Sequence, residues 1–429
     1  MPHSPGRPQV PAPPEPGLPA GTRVRYWAGA LPEAGPLRPL AAATLASRVG
    51  RGLLYTILPL YLTRVVGLSA GQVGLGLTSA ALLGMAVGIP AGHLADVLGP
   101  RGLRVAVRLA EATVLCGYVL VGGFGGFLVA AGAVAVCESA GEAAEGALIG
   151  GSLPPAQRVR GRAYLRAVTN VGWGLGAATA AVALAADSRP VYRGAVFAAA
   201  GCYLVSALAT RRVPPPAPVR RPPGRPQWAA LRDGPYAVLT LLNAVLSMNV
   251  GMFTVALPLY IADRTGAPLV LYAGLVLLNT TAAALWQQRA SRSTGSVPGA
   301  ATAQWRAGVL LAVACGLFAL ADGRGAEAAC LLLSAGAAVH VYGELLQAAG
   351  SWGLSYELAP VHAVGQYQGV YGVGRSLGQL LTPVVASSAM TGWGWGGCVL
   401  LGGLFLAAGA PVPAAARWAL ARREAQARS

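Results

Sequence analysis

The sequence predicts an all-α membrane protein of twelve transmembrane helices in two six-helix halves, on three observations. Of its 429 residues, 55% are hydrophobic and only 11% charged, against about 25% charged in an average soluble chain. Apolar runs long enough to cross a hydrocarbon core of roughly 30 Å recur from Leu37 to the C-terminus. All 32 basic residues are arginine, and most sit in the short polar gaps between those runs. The formal net charge of +17 then belongs to a membrane topology, and no nucleic acid partner is needed. This composition excludes a soluble enzyme, a nucleic-acid-binding module and a disordered scaffold.

Taken in order, residues 1–36 hold ten prolines and no apolar h-region, which reads as a disordered cytoplasmic tail and not a cleaved signal peptide. Six runs follow, at 38–63, 70–92, 103–122, 124–150, 163–186 and 191–211, forming an N-terminal bundle over 37–211. The next segment, RRVPPPAPVRRPPGRPQW, cannot continue as helix because of its prolines. Six arginines from Arg211 to Arg232 hold it in the cytoplasm as a central loop, 212–232. Runs at 235–262, 268–288, 304–321, 326–350, 366–390 and 396–416 make a second bundle over 233–416, and 417–429 is a cytoplasmic tail.

With the N-terminus inside, 24 arginines fall in cytoplasmic tails, loops and first turns, and five in outer loops (Arg64, Arg189, Arg193, Arg264, Arg324). That is the positive-inside bias of a cell-membrane protein with both termini cytoplasmic. Asp187, Asp263, Asp322 and Glu327 nearly balance the outer arginines. The inner ones grip anionic membrane lipids. The six cysteines lie in apolar runs without a CxxC motif and read as small core residues.

An internal echo supports the division into halves. Leu58, Pro59, Leu60, Tyr61 and Gly67 recur 199 positions later as Leu257, Pro258, Leu259, Tyr260 and Gly266. A weaker echo pairs LPPAQ at 153–157 with LAPVH at 358–362. Duplicated units of parallel topology are expected from this.

After the second run comes GHLADVLGPRGLR, residues 92–104. This resembles the cytoplasmic loop signature of the major facilitator superfamily at Gly92, Leu94, Ala95, Asp96, Gly99 and Arg101. The six-plus-six layout and basic central loop extend the resemblance over about residues 38–416. The resemblance implies a secondary transporter whose first, fourth, seventh and tenth spans line a central cavity, and a loop that latches the halves together. Val97 and Pro100 replace usually basic positions, leaving Arg101 or Arg104 to take part in a charge relay with Asp96. An acid at a membrane edge needs a positive partner or a helix N-terminus. In the fifth span, Gly172 and Gly176 resemble the glycine spacing of proton-coupled drug exporters, but Ala177 stands where those carry proline; close helix packing explains the glycines as well.

Ionisable groups at membrane depth cost roughly 2.5 to 3.5 kcal/mol each at the bilayer centre, so each needs a reason. Glu138, Glu142 and Glu145 share one face of the fourth span at i, i+4, i+7; His340, Glu344 and Gln347 repeat that spacing in the tenth. On the resemblance both stripes face the cavity, joined by Arg48 and Arg51 of the first span and Asn243 and Asn249 of the seventh; Arg375 of the eleventh, with Gln379 at i+4, either reaches the cavity or caps the latch loop. Carboxylates a turn apart disfavour joint ionisation, and an acid that exchanges a proton is what a proton-coupled carrier requires. An Arg–Glu network that only joins helices is the plainer alternative. Glu111 is expected to pair locally with Arg108.

No HExxH, GxSxG, Walker lysine or clustered metal ligands occur, so neither an enzyme nor a cofactor or metal site is expected. The expected function is proton-coupled export of a small organic solute by a monomer. A proton-coupled importer or uniporter of a metabolite, and a non-transporting membrane receptor on the same fold, are the alternatives.

Overall fold

The computed structural model describes residues 35–186, 188–216 and 229–428. Most of the expected N-terminal tail, and of the central loop the stretch 217–228, lie outside the described residues. The first half is built from α1 (Leu37–Leu60), α2 (Ala70–Leu98), α3 (Pro100–Tyr118), α4 (Phe124–Ser152), α5 (Pro155–Ala186) and α6 (Arg189–Arg211). The second contains α7 (Gly234–Gly251), α8 (Leu257–Arg264), α9 (Val270–Ala290), α10 (Val297–Leu320), α11 (Ala326–Glu357), α12 (Val364–Ser387), α13 (Trp395–Gly409) and α14 (Val412–Arg428). Wide turns of π-helix extend α1 (Tyr61–Val66), join α7 to α8 (Met252–Ala256) and extend α12 (Ser388–Gly392). Two of these helices, α1 and α12, also contain an interior proline, Pro59 or Pro383, which cannot donate to the helical ladder.

Helix starts follow local chemistry. Ser69 and Gln72 close a reciprocal capping box on α2, the hydroxyl oxygen accepting from the Gln72 N–H at 3.2 Å. Ser296 caps α10 through the Gly299 N–H. Prolines open α3, α6, α7, α8 and α10, where a missing N–H costs nothing.

Each expected apolar run coincides with helix, but the boundaries move in an informative way. α5 begins at Pro155 rather than 163, and α10 at Val297 rather than 304. Arginine and small polar residues had made these first turns look like loop. Most of the residues expected as a C-terminal tail continue as α14. Cys116 is exposed on α3 and not a core residue, while Cys315 and Cys398 are buried.

Within the first half α1 packs on α5 and α6, α2 on α4, and α3 on α4 and α6; in the second, α10 packs on α11 and α13, α7 on α12 and α9 on α11. The main seam between them is α12 against α2 and α4. The repeated Leu-Pro-Leu-Tyr string plays the same part in both halves: the Tyr61 hydroxyl donates to the Tyr118 carbonyl at 3.2 Å, and the Tyr260 hydroxyl to the Phe318 carbonyl at 2.8 Å. The second echo falls at the α4–α5 and α11–α12 turns.

Large apolar side chains point away from these contacts; Leu120 is 87% exposed and Val270 76%. Such an outer surface calls for an apolar solvent. Among the described residues, eight helical segments are long and apolar enough to cross a bilayer. Among the rest, α1, α3 and α12 carry arginines and α9 has a shorter apolar stretch. The chain is a multi-pass membrane protein.

Candidate functional site

Helical spacing brings charges to one face, and packing decides what they meet. On α1, Arg48 and Arg51 turn toward α4. Arg51 forks between two acids, Nη1 donating to Glu142 at 2.9 Å and Nη2 to Glu138 at 2.8 Å. Its guanidinium also lies 5.5 Å from the Tyr55 ring centroid, and the Tyr55 hydroxyl donates to Glu138 at 2.9 Å. Arg48 lies 3.5 Å from Glu142 and 3.9 Å from Glu145.

Glu145 is the deeper acid. Arg104 from α3, with a fully buried side chain, reaches it at 2.9 Å, and Arg162 from α5 at 3.5 Å. Glu111, also fully buried, takes the guanidinium of Arg108 one turn before it on α3, the local pair expected from spacing. Charges this deep persist only with partners, since removing one leaves a buried ion costing about 3 to 5 kcal/mol.

Several polar links cross between the halves, among them a contact of Gln366 Nε2 with His93 Nδ1 at 2.9 Å. Asp96, at the end of α2, accepts the backbone N–H groups of Gly365 at 2.6 Å and Gln366 at 2.9 Å, at the start of α12. A carboxylate there satisfies otherwise open donors and meets the positive end of the helix dipole. Arg166 of α5 binds Glu344 of α11, which also accepts from Asn279 at 2.9 Å. Arg375 of α12 reaches Glu142 at 3.2 Å. The first crossing is possible because the backbones nearly touch: a Cβ on Gly92 would sit 2.2 Å from the Gly365 carbonyl oxygen. Gly99, at φ +85°, turns the chain directly into α3. Arg101 donates to the Val213 carbonyl at 3.3 Å, while Arg104 goes to Glu145; the latch-loop arginines thus have other engagements than the relay expected of them.

A cavity of about 450 Å³ lies between the halves. Arg51, Tyr55, Glu138, Glu142, Arg162 and Arg375 supply charged and aromatic walls. Its lining runs from Gly88 and Gly369 at the α2–α12 crossing to Leu58, Leu77 and Tyr118. Glu138 Oε1 is buried without a hydrogen-bond partner.

The second expected stripe does not line this cavity. Asn243 Oδ1 accepts from Gln304 at 3.1 Å and Gln347 at 2.9 Å, tying α7, α10 and α11 into one amide cluster. The His340 ring meets the Asn249 carbonyl at 3.2 Å and stacks on Phe253 at 4.9 Å. The physical reason is that neighbouring helices offer these groups closer partners than the cavity does: α7 for His340 and Gln347, and α5 and α9 for Glu344. Gly172 and Gly176 press on the α1 backbone near Arg48 and Val49, which is close packing.

Sequence reasoning missed Arg162 and Arg166 as interior residues, because Arg162 falls in the basic loop before the expected fifth span and Arg166 in that span's first turn; their i, i+4 spacing was the available signal. It also missed Tyr55, Gln304 and Asn279, for which no spacing signal existed. Among the described residues no group of three or more His, Cys, Asp or Glu is placed to hold a metal ion.

The sequence model described as Major Facilitator Superfamily matches residues 40–343. A comparison with curated proteins returns no match. Among solved structures, the human organic anion transporter MFSD10 (TETRAN) is similar at 15% identity and a TM-score of 0.66, covering 88% of this chain and 98% of that one. A bacterial homologue of the iron transporter ferroportin in its outward-facing state gives 14% and 0.68, covering 90% and 99%. The E. coli fucose:proton symporter FucP gives 14% and 0.63, covering 90% and 98%.

Proposed function

The chain belongs to the major facilitator superfamily, and from that premise we propose that it is a secondary active transporter that moves a small organic solute across the cytoplasmic membrane, coupled to protons, in the direction of export. On this reading twelve spans form two parallel repeats, 37–211 and 233–416, the arginine-rich ends, both termini and the central loop are cytoplasmic, and the protein works as a monomer among anionic lipids. The Asp96 loop is then the cytoplasmic latch, and the cavity opens to the outside.

The observation that carries the coupling is Glu138: one oxygen held by Arg51 and Tyr55, the other buried in the cavity wall without a partner. A buried carboxylate oxygen with no donor is a place for a proton. Glu142 next to it links the halves through Arg375, so a proton or a substrate at this point acts on the seam itself. Export is supported by the same pair. In the state open at this end, Arg375 is already taken by the protein's own acid, which favours release over capture there. No phosphate-binding loop is legible in the sequence, so an ion gradient is the source of work; 100 mV across the membrane supplies about 2.3 kcal/mol per charge.

The test uses purified protein in liposomes, with the compound that stabilises it most in a thermal screen. Glu138→Gln should abolish accumulation driven by a pH gradient while leaving substrate counterflow, because it removes the carboxylate and keeps size. Full pH-driven accumulation in both Glu138→Gln and Glu142→Gln would defeat the coupling. Inverted and right-side-out vesicles decide the direction.

A further inference from the structure

The buried network is unbalanced. Arg48, Arg51, Arg104, Arg108, Arg162, Arg166 and Arg375 face Glu111, Glu138, Glu142, Glu145 and Glu344 through the ion pairs described, so two guanidinium charges are in excess. At the cavity wall the imbalance has a direction. Every carboxylate there is engaged: Glu138 by Arg51, and Glu142 by Arg48, Arg51 and Arg375 together.

The arginines are less committed. The side chain of Arg375 is 35% exposed, more than any other arginine in these pairs, and its one carboxylate contact is to an acid already shared with two other arginines. Arg162, also on the wall, holds Glu145 only at 3.5 Å. Arg162, Arg48 and Arg166 lie close enough to Arg375 to repel it. A cationic solute would meet no accessible unpaired carboxylate oxygen here, because the one without a partner, Glu138 Oε1, is buried. An anionic one would meet guanidinium from both halves, beside the rings of Tyr55 and Trp352.

We propose that the cavity receives an organic anion, and that its acid group, a carboxylate or a phosphate, takes Arg375 away from Glu142. Because that pair joins α12 to α4 across the seam, loading the site undoes one of the polar links between the halves. Substrate binding thereby loosens the closed end, with Glu142 as the protein's internal stand-in for the substrate anion. The consequence for gating rests on the transport reading; the anion site itself does not.

The experiment is thermal unfolding of the purified full-length protein with millimolar benzoate, benzamide or benzamidine, which share a ring and differ in charge, and with phenyl phosphate as the second acid. Benzoate or phenyl phosphate should stabilise the protein, the larger shift naming the preferred acid, and benzamide and benzamidine should not. Arg375→Gln should weaken the acid's affinity roughly ten- to a hundredfold, the loss of one charge-assisted contact, and Arg375→Lys should restore part of it. Should Arg375→Gln fold poorly, Glu142→Gln gives the opposite sign: with its competitor neutralised, Arg375 should bind the acid more tightly than in the wild type. Stabilisation by benzamidine or benzamide equal to that by the acids, no response to either acid, or weaker acid binding in Glu142→Gln would each overturn the proposal. These are binding measurements, so their failure leaves proteoliposome transport standing as a separate result, and absent flux leaves the anion site standing.

Discussion

The interiors of the two halves are polar in different currencies. Between α1, α3, α4 and α5 the contacts are ionic, with Arg104 fully buried against Glu145 and Arg51 split between Glu138 and Glu142. Between α7, α10 and α11 they are amide to amide, with Asn243 accepting from both Gln304 and Gln347. An ionic network can be rearranged by any mobile charge that enters it, because its partners are exchangeable. An amide cluster gives a proton or an anion nothing comparable to displace. The comparison assigns adaptability to the first half and rigidity to the second, with Arg375 and Glu344 as the second half's two charged contributions to the seam.

The largest effect that would test this contrast is at Glu145. Glu145→Gln should cost about 3 to 5 kcal/mol by leaving Arg104 buried without its countercharge; joint replacement with Arg104→Met should recover much of it, as read by thermal unfolding. A stable single variant would mean that water reaches Arg104 and that the first half is less enclosed than drawn. Asn243→Ala comes next, at about 1 to 3 kcal/mol, the cost of stranding buried amide groups. Transport driven by a pH gradient should survive in the molecules that fold. Loss of coupling there would break the assignment of rigidity to the second half. Smallest is Asp96→Asn, which keeps one acceptor for the α12 amides and removes the charge, a change of about 0.5 to 2 kcal/mol by analogy with helix caps. A cysteine placed at Ser376 in the cavity should then be labelled less from the far side, because the closed end opens more often.

Much of this was legible in the sequence, and the limits have physical causes. Arg48, Arg51, Glu138, Glu142 and Glu145 were found because spacing on one helix is a local property. Their pairing was not, because Arg51 and Glu138 stand 87 residues apart and nothing local records which faces meet. Asp96 was flagged as needing a positive partner or a helix N-terminus, and the structure supplies the second. His340, Glu344 and Gln347 show the opposite failure: periodicity places them on one face, but α7, α9 and α10 each claim part of that face before the cavity does. Arg162 falls just before the expected fifth span and Arg166 in its first turn, and arginine there reads as the positive-inside pattern whether or not the helix has already begun.

The wide turns bear on how the two halves should be matched to each other. In the first half the wide turn begins at the last residue of the repeated Leu-Pro-Leu-Tyr string, in Tyr61–Val66; in the second it lies before the string, in Met252–Ala256. Each such turn is a one-residue insertion that rotates everything beyond it by about 100° relative to an unbroken helix. An alignment carried along the 199-residue offset is therefore in register at Tyr61 and Tyr260 and out of register toward the cavity, where Arg48 and Arg51 would be set against Ser247 and Val250. Equivalent positions in the two cavity faces have to be read in space, and any search for duplicated function in this chain that slides one half over the other by a constant number will compare side chains that point in different directions.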